Sequence, residues 1–222
     1  MTKEDIEGAN KNTRNGIDRI SHLLSPLIAT EWSKAGGIAA RGVLIDYVAY
    51  AKRHDIKYTI PGRVAITHED LEAIAKERDV QFRPGDILLV RTGYVKWHDE
   101  ATDEDRLRGT SHHEYPGVEG SKECIEWMWK HHFAAVAADC PAFETIPPKD
   151  PHYSKINILI WLIVVLHNFL LAFWGTPIGE LWDLEELARL CEKHKRYSFF
   201  LTSAPLNLEG GIASPANAMA IF

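Results

Sequence analysis

The chain has 222 residues, 45% of them hydrophobic and 25% charged, which fits one globular domain with a buried core and excludes a disordered or fibrous chain. Its 25 basic and 31 acidic residues leave a net charge of −6 without any basic block, so no nucleic-acid partner is expected. Cys124, Cys140 and Cys191 are odd in number, far apart and lack CxxC spacing, which argues against a disulfide framework or zinc-thiolate site and fits a reducing, cytoplasmic compartment.

Residues 1–35 are polar and turn-rich at first and read as a poorly ordered segment without a secretory signal; the stretch Leu23–Ala29, interrupted by Pro26, is too short to span a bilayer. RGVLIDYVAYA (Arg41–Ala51) groups Val43, Leu44 and Ile45 as a buried strand ending at Asp46. Thr67–Asp79 has helical apolar spacing at Leu71, Ile74 and Ala75, with Thr67 as cap and Asp70 three residues on. RPGDILLVRTG (Arg83–Gly93) is a turn and a strand, Gly117–His132 a helix, and Phe133–Asp139 a second buried strand. Asp183–His194 reads as a helix capped by Asp183, followed by strands in Tyr197–Leu206 and Asn217–Phe222 around a loop with Gly210-Gly211 and Pro215. Strands alternating with helices make an α/β domain. Polar residues at strand ends often line the site of such a domain, which draws attention to Asp46, Thr92 and Asp139; turn and cap duty is the plainer role for the same residue types.

Eleven histidines are many for this length. His131-His132 closes a predicted helix, where histidine complements the dipole. GTSHHEYPG (Gly109–Gly117) offers His112, His113 and Glu114 as nitrogen and oxygen ligands, or simply an exposed loop. The sharpest pair is His167 and Glu180. His167 interrupts an apolar wall, where burial is costly unless the ring is hydrogen-bonded or ligating. The turn Gly175-Thr176-Pro177 can fold Glu180 back beside it, a pairing that suits a divalent cation, or a base with its orienting acid, or a satisfied core histidine. No GxSxG, P-loop, HExxH or GxGxxG occurs.

RGVLIDY, GDILLVRTGY, YPGVEG, AADCPAFE, LHNFLLAFWGTPIGELWDLEELA and TSAPLNLEGGIASPANAMAIF occur in the order seen in the cyclase family of metal-dependent hydrolases, which includes kynurenine formamidases and isatin hydrolases. The resemblance covers residues 36–222, the expected domain. It implies a swivelling β/β/α fold, here N-terminally shortened, assembled as a homodimer or larger homo-oligomer. It implies hydrolysis of a small amide, lactam or lactone with zinc or manganese, by a metal-activated water while a histidine moves protons. The family's late ligands, a histidine before an apolar turn and a glutamate after it, match His167 and Glu180.

The family's main metal motif, His-x-Gly-Thr-His-x-Asp, precedes RGVLIDY and has no match in this chain, where His22 stands alone; GTSHH lies too late and lacks the His-x-Asp step. The catalytic proton-transfer histidine is therefore unassigned, and two ligands are fewer than the three that a catalytic zinc keeps. Three functional readings follow: a cyclase-family hydrolase of carbon–nitrogen bonds impaired by the missing ligands, an inactive relative serving as a subunit or binding protein, and a single-pass membrane protein anchored by Ile156–Trp174. That last segment has 19 residues, close to the ~20 a span needs, but Asn157, His167 and Asn168 interrupt it. Arg19–Thr30 and Ile156–Val165 sit in the resemblance like insertions, as translated intron sequence would; a spliced transcript that still encodes both stretches rejects that origin.

Overall fold

The computed structural model describes residues 36–111, 113–148, 165–204, 206 and 213–222. They fall into two compact units, residues 40–199 with Phe222, and the described residues among 1–39 and 200–221. His22, His112, Arg19–Thr30, Gly210-Gly211 and residues 156–164 lie outside the described residues.

The larger unit is built on parallel strands. β1 (Ile38–Asp46) is followed by α1 (Tyr47–Arg53), β2 (Ala65–Ile66), α2 (His68–Glu77), β3 (Ile87–Arg91), α3 (Tyr94–Glu100), α4 (Asp103–Ser111), β4 (Gly117–Val118), α5 (Lys122–His131) and β5 (Ala135–Ala138). After these come α6 (Val165–His167), which runs directly into a π-helical segment (Asn168–Trp174), then β6 (Ile178–Gly179) and α7 (Glu185–His194). The parallel strands lie in the order β6-β5-β3-β1, with Leu44 opposite Leu89, Leu89 opposite Ala137 and Ala137 opposite Gly179. The Leu44 N–H also donates to the Tyr197 carbonyl at 3.0 Å, which places the start of β7 (Ser198–Ser203) beside β1.

These strands are continuous apolar runs because both faces are covered, as parallel sheets require. Val43, Ile45, Leu88, Val90, Val136 and Ala138 belong to one core cluster with Leu71, Ile74 and Ala75 of α2 and Cys124, Trp127 and Met128 of α5. Leu44, Leu89 and Ala137 alternate to the other face and are buried as well. In the smaller unit the end of β7 pairs antiparallel with β8 (Met219–Ile221), Leu201 opposite Ala220.

The local signals mostly set the boundaries. Thr67 and Asp70 close a reciprocal capping box, with the Asp70 N–H donating to Thr67 Oγ1 at 3.2 Å and the Thr67 N–H to Asp70 Oδ2 at 3.0 Å. Thr67→Ala should therefore cost about 1 kcal/mol, read from the denaturation midpoint at unchanged m-value. Two boundaries differ from the sequence reading. The helix expected over Gly117–His132 begins at Lys122 with Ser121 as cap, because Gly117 and Val118 are drawn into pairing with Ala65 and Ile66. The last helix begins at Glu185 with Leu184, not Asp183, in the cap position. Asp183 still accepts the Glu185 N–H at 3.0 Å, but Leu184 is buried and Glu185 is committed to Arg91, so tertiary contacts set the frame.

No helix among the described residues is long and apolar enough to cross a membrane. In the described part of Ile156–Trp174, Leu166 and Leu170 are buried in the core cluster while Leu171 and Phe173 are exposed.

Candidate functional site

The strand ends carry a layer of buried polar groups. Asp139, after β5, has no exposed surface and accepts three hydrogen bonds: Thr92 N–H at 2.6 Å, Thr92 Oγ1–H at 2.7 Å and Gly93 N–H at 2.7 Å. Gly93 has φ +91°, a left-handed conformation suited to glycine, and this conformation accompanies the N–H contact with Asp139. Burial pushes the Asp139 carboxyl above its ordinary value, against the pull of its three donors. Asp46 caps α1 through the Ala49 N–H at 3.0 Å and accepts from Arg91 Nη1 at 2.9 Å, while Arg91 grips Glu185 at 2.8 and 2.7 Å. Asp46, Thr92 and Asp139 are thus committed to caps and strand-end ties, the plainer of their two expected roles.

The segment after β5 brings in a residue that sequence spacing did not single out. The Val118 N–H donates to the Phe143 carbonyl at 2.9 Å and the Thr145 N–H to the Val118 carbonyl at 2.9 Å. Any Cβ on Gly117 would stand 2.4 Å from the Glu144 carbonyl carbon, so only glycine admits this approach. Glu144 is held with its side chain 3% exposed. Its Oε2 accepts the Leu166 N–H at 2.6 Å, and its Oε1 accepts the His167 N–H at 3.1 Å and His167 Nδ1–H at 2.8 Å.

On the other side of the ring, His167 Nε2 lies 3.2 Å from Glu180 Oε1. The turn does fold Glu180 back, as its composition predicts. Gly175 takes φ +68°, the Thr176 N–H returns to the Leu170 carbonyl at 2.7 Å, and the Val136 N–H bonds the Pro177 carbonyl at 3.0 Å. β6 then pairs with β5, and the Leu181 N–H closes onto the Cys140 carbonyl at 3.2 Å. Glu180 is 38% exposed and His167 24%, so the pair opens toward solvent while Glu144 closes it from within.

Burial works against the imidazolium, but the Glu144 and Glu180 carboxylates outweigh it and raise His167 to about 9. In the metal-free protein this pair should contribute stability that is full below the ring's unfolded value of about 6.5 and lost as pH rises through about 9. Denaturant midpoints from pH 6 to 10 check this: the wild-type protein should lose that increment and His167→Gln should not.

The donor chemistry fits two positions of a divalent-metal site. An imidazole nitrogen and a carboxylate oxygen face each other, and the other ring nitrogen is held by a buried carboxylate, as in metal-ligating histidines. No group of three or more His, Cys, Asp or Glu that could hold a metal ion occurs among the described residues. His113 and Glu114 are exposed, and Gly109–Ser111 closes α4. His131 ends α5, donating from Nδ1 to the Trp127 carbonyl at 2.9 Å and stacking on Phe133, and His132 is the left-handed C-cap. The three cysteines are buried free thiols; burial pushes Cys124 up to about 11 and Cys191 up to about 12, so neither offers a thiolate.

The family profile described as "Putative cyclase" matches residues 4–145. The chain belongs to the cyclase family. A novel cyclase of known structure is 32% identical, with a TM-score of 0.69 over 83% of this chain and 54% of its own. Isatin hydrolase A from Ralstonia solanacearum is 18% identical, with a TM-score of 0.55 over 92% of this chain and 63% of its own. A protein described as a predicted metal-dependent hydrolase from Bacillus stearothermophilus is 15% identical, with a TM-score of 0.51 over 92% of this chain and 72% of its own. No curated protein matches the chain. This cyclase-family chain thus shares the α/β fold of the novel cyclase and the isatin hydrolases, and spans little more than half the length of the former. The profile match begins well before Gly36 and stops just after Glu144, so His167 and Glu180 lie beyond it.

Proposed function

We propose that this chain carries the later part of a cyclase-family hydrolase site, with His167 and Glu180 as two ligands of a zinc or manganese ion and a small amide, lactam or lactone as substrate. The observation that supports this reading is the facing of His167 Nε2 and Glu180 Oε1 at 3.2 Å, backed by buried Glu144. The structural neighbours named as isatin hydrolases and a metal-dependent hydrolase point the same way. A bound ion would supply Lewis-acid polarisation of a carbonyl and activation of water. His167 offers a nitrogen lone pair there, and Glu180 a carboxylate that offsets part of the cation's charge. Buried Glu144 is spent on the ring and on the Leu166 and His167 N–H groups and is not a third ligand. The buried thiols fit a cytoplasmic site of action, and a homodimer or larger oligomer accords with the family.

The shortage of ligands among the described residues favours a second reading, an inactive family member that serves as a subunit or binding protein. Hydrolysis of a panel of small amides, lactams and lactones, with zinc or manganese added, separates the two. Metal-stimulated turnover that Glu180→Gln abolishes supports the hydrolase. Metal binding without turnover supports the inactive relative.

A further inference from the structure

We infer that Glu144 is a positioning residue whose one carboxylate fixes both the proton of the His167 ring and the backbone of the helical segment that bears it, so that Nε2 presents its lone pair toward Glu180. The inference rests on the reading of His167 as a metal ligand. Three donors converge on Glu144, and their division between its oxygens is unequal. Oε2 takes the Leu166 N–H at 2.6 Å, and Oε1 takes both the His167 N–H at 3.1 Å and Nδ1–H at 2.8 Å. Two consecutive backbone N–H groups, those of Leu166 and His167, thus find their acceptor on a residue more than twenty positions upstream. The same oxygen that bonds the His167 backbone also bonds its ring, so backbone and imidazole are clamped to a single point.

Both ring nitrogens face carboxylates, so the neutral ring has two candidate tautomers. The Glu144 contact is the shorter, 2.8 against 3.2 Å, and Glu144 is 3% exposed against 38% for Glu180. A charge-assisted hydrogen bond gains strength as it shortens and as water is excluded, so the proton resides on Nδ1. That leaves Nε2, the atom beside the more exposed carboxylate, free to ligate. A glutamine at 144 has only one oxygen for these three donors. Its amide group would meet either the Leu166 N–H or the His167 pair donor against donor, and the clamp would open.

The test uses wild-type protein, Glu144→Gln and Glu144→Ala. Nitrogen-15 NMR of the imidazole in metal-free protein, followed upward in pH until the ring no longer titrates, reads the tautomer of the neutral ring. Chelator competition with zinc reads affinity, and circular dichroism reads the fold. The expected result is an Nδ1–H ring in the wild type, a shift toward Nε2–H in both variants, and a 10–100-fold weaker zinc affinity with the fold retained. Unchanged tautomer and affinity in Glu144→Gln would overturn the inference. If both variants fail to fold, the wild-type spectrum alone decides it, since an Nε2–H ring there contradicts the clamp. If the wild type takes no zinc, the metal reading fails, while the tautomer still reports on Glu144 by itself.

Discussion

Asp139→Ala should destabilise the chain by about 3–5 kcal/mol, the larger of the stability effects expected here. Its carboxylate is the acceptor for two backbone N–H groups and one hydroxyl, all buried. Truncation leaves the Thr92 and Gly93 donors without that acceptor in a site that excludes water, and each unmet donor costs roughly 1–3 kcal/mol. A carboxylate with no exposed surface is itself costly to bury, which trims the loss and holds the expectation below a full three-donor sum. Asp139→Asn keeps one acceptor oxygen and should lose about half as much. Guanidinium denaturation checks both, and a loss under ~1 kcal/mol for the alanine variant contradicts this account of the strand ends. The effect reaches the site because Ala137, two residues before Asp139, sets the register of Gly179, and Glu180 follows directly.

If the proposed site holds, His167→Ala and Glu180→Ala should each weaken zinc or manganese binding by more than the ~10–100-fold that outer-shell changes cost, since each would remove a proposed ligand rather than its support. Their effect on folding should be smaller than that of Asp139→Ala, because both side chains are partly exposed. Isothermal titration, paired with denaturation of the same samples, separates the two quantities. Equal metal affinity in wild type and Glu180→Ala would remove Glu180 from the site.

The fold was largely legible in the sequence, for a physical reason that names its own limits. Val43–Ile45, Ile87–Val90 and Ala135–Ala138 are short apolar runs, and runs buried on both faces need no long-range information to be recognised. Thr67 with Asp70 is equally local. Gly117–Val118 and Leu184 escape local reading because their states depend on partners distant in sequence. His167 and Glu180 were legible as a pair because a Gly-Thr-Pro turn separates them. Glu144 was not, although it lies in the quoted AADCPAFE stretch. Its donors are 22 and 23 residues away, and no local spacing encodes that closure. The same holds for Arg91 and Glu185, 94 residues apart.

As proposed, His167 and Glu180 hold a divalent ion. Elemental analysis of the purified chain, loaded with zinc or manganese and then dialysed, tests it most directly. The wild type should retain about one ion per chain, and His167→Ala and Glu180→Ala background levels. Wild-type protein that retains no ion after loading, or variants that retain as much as the wild type, would contradict it.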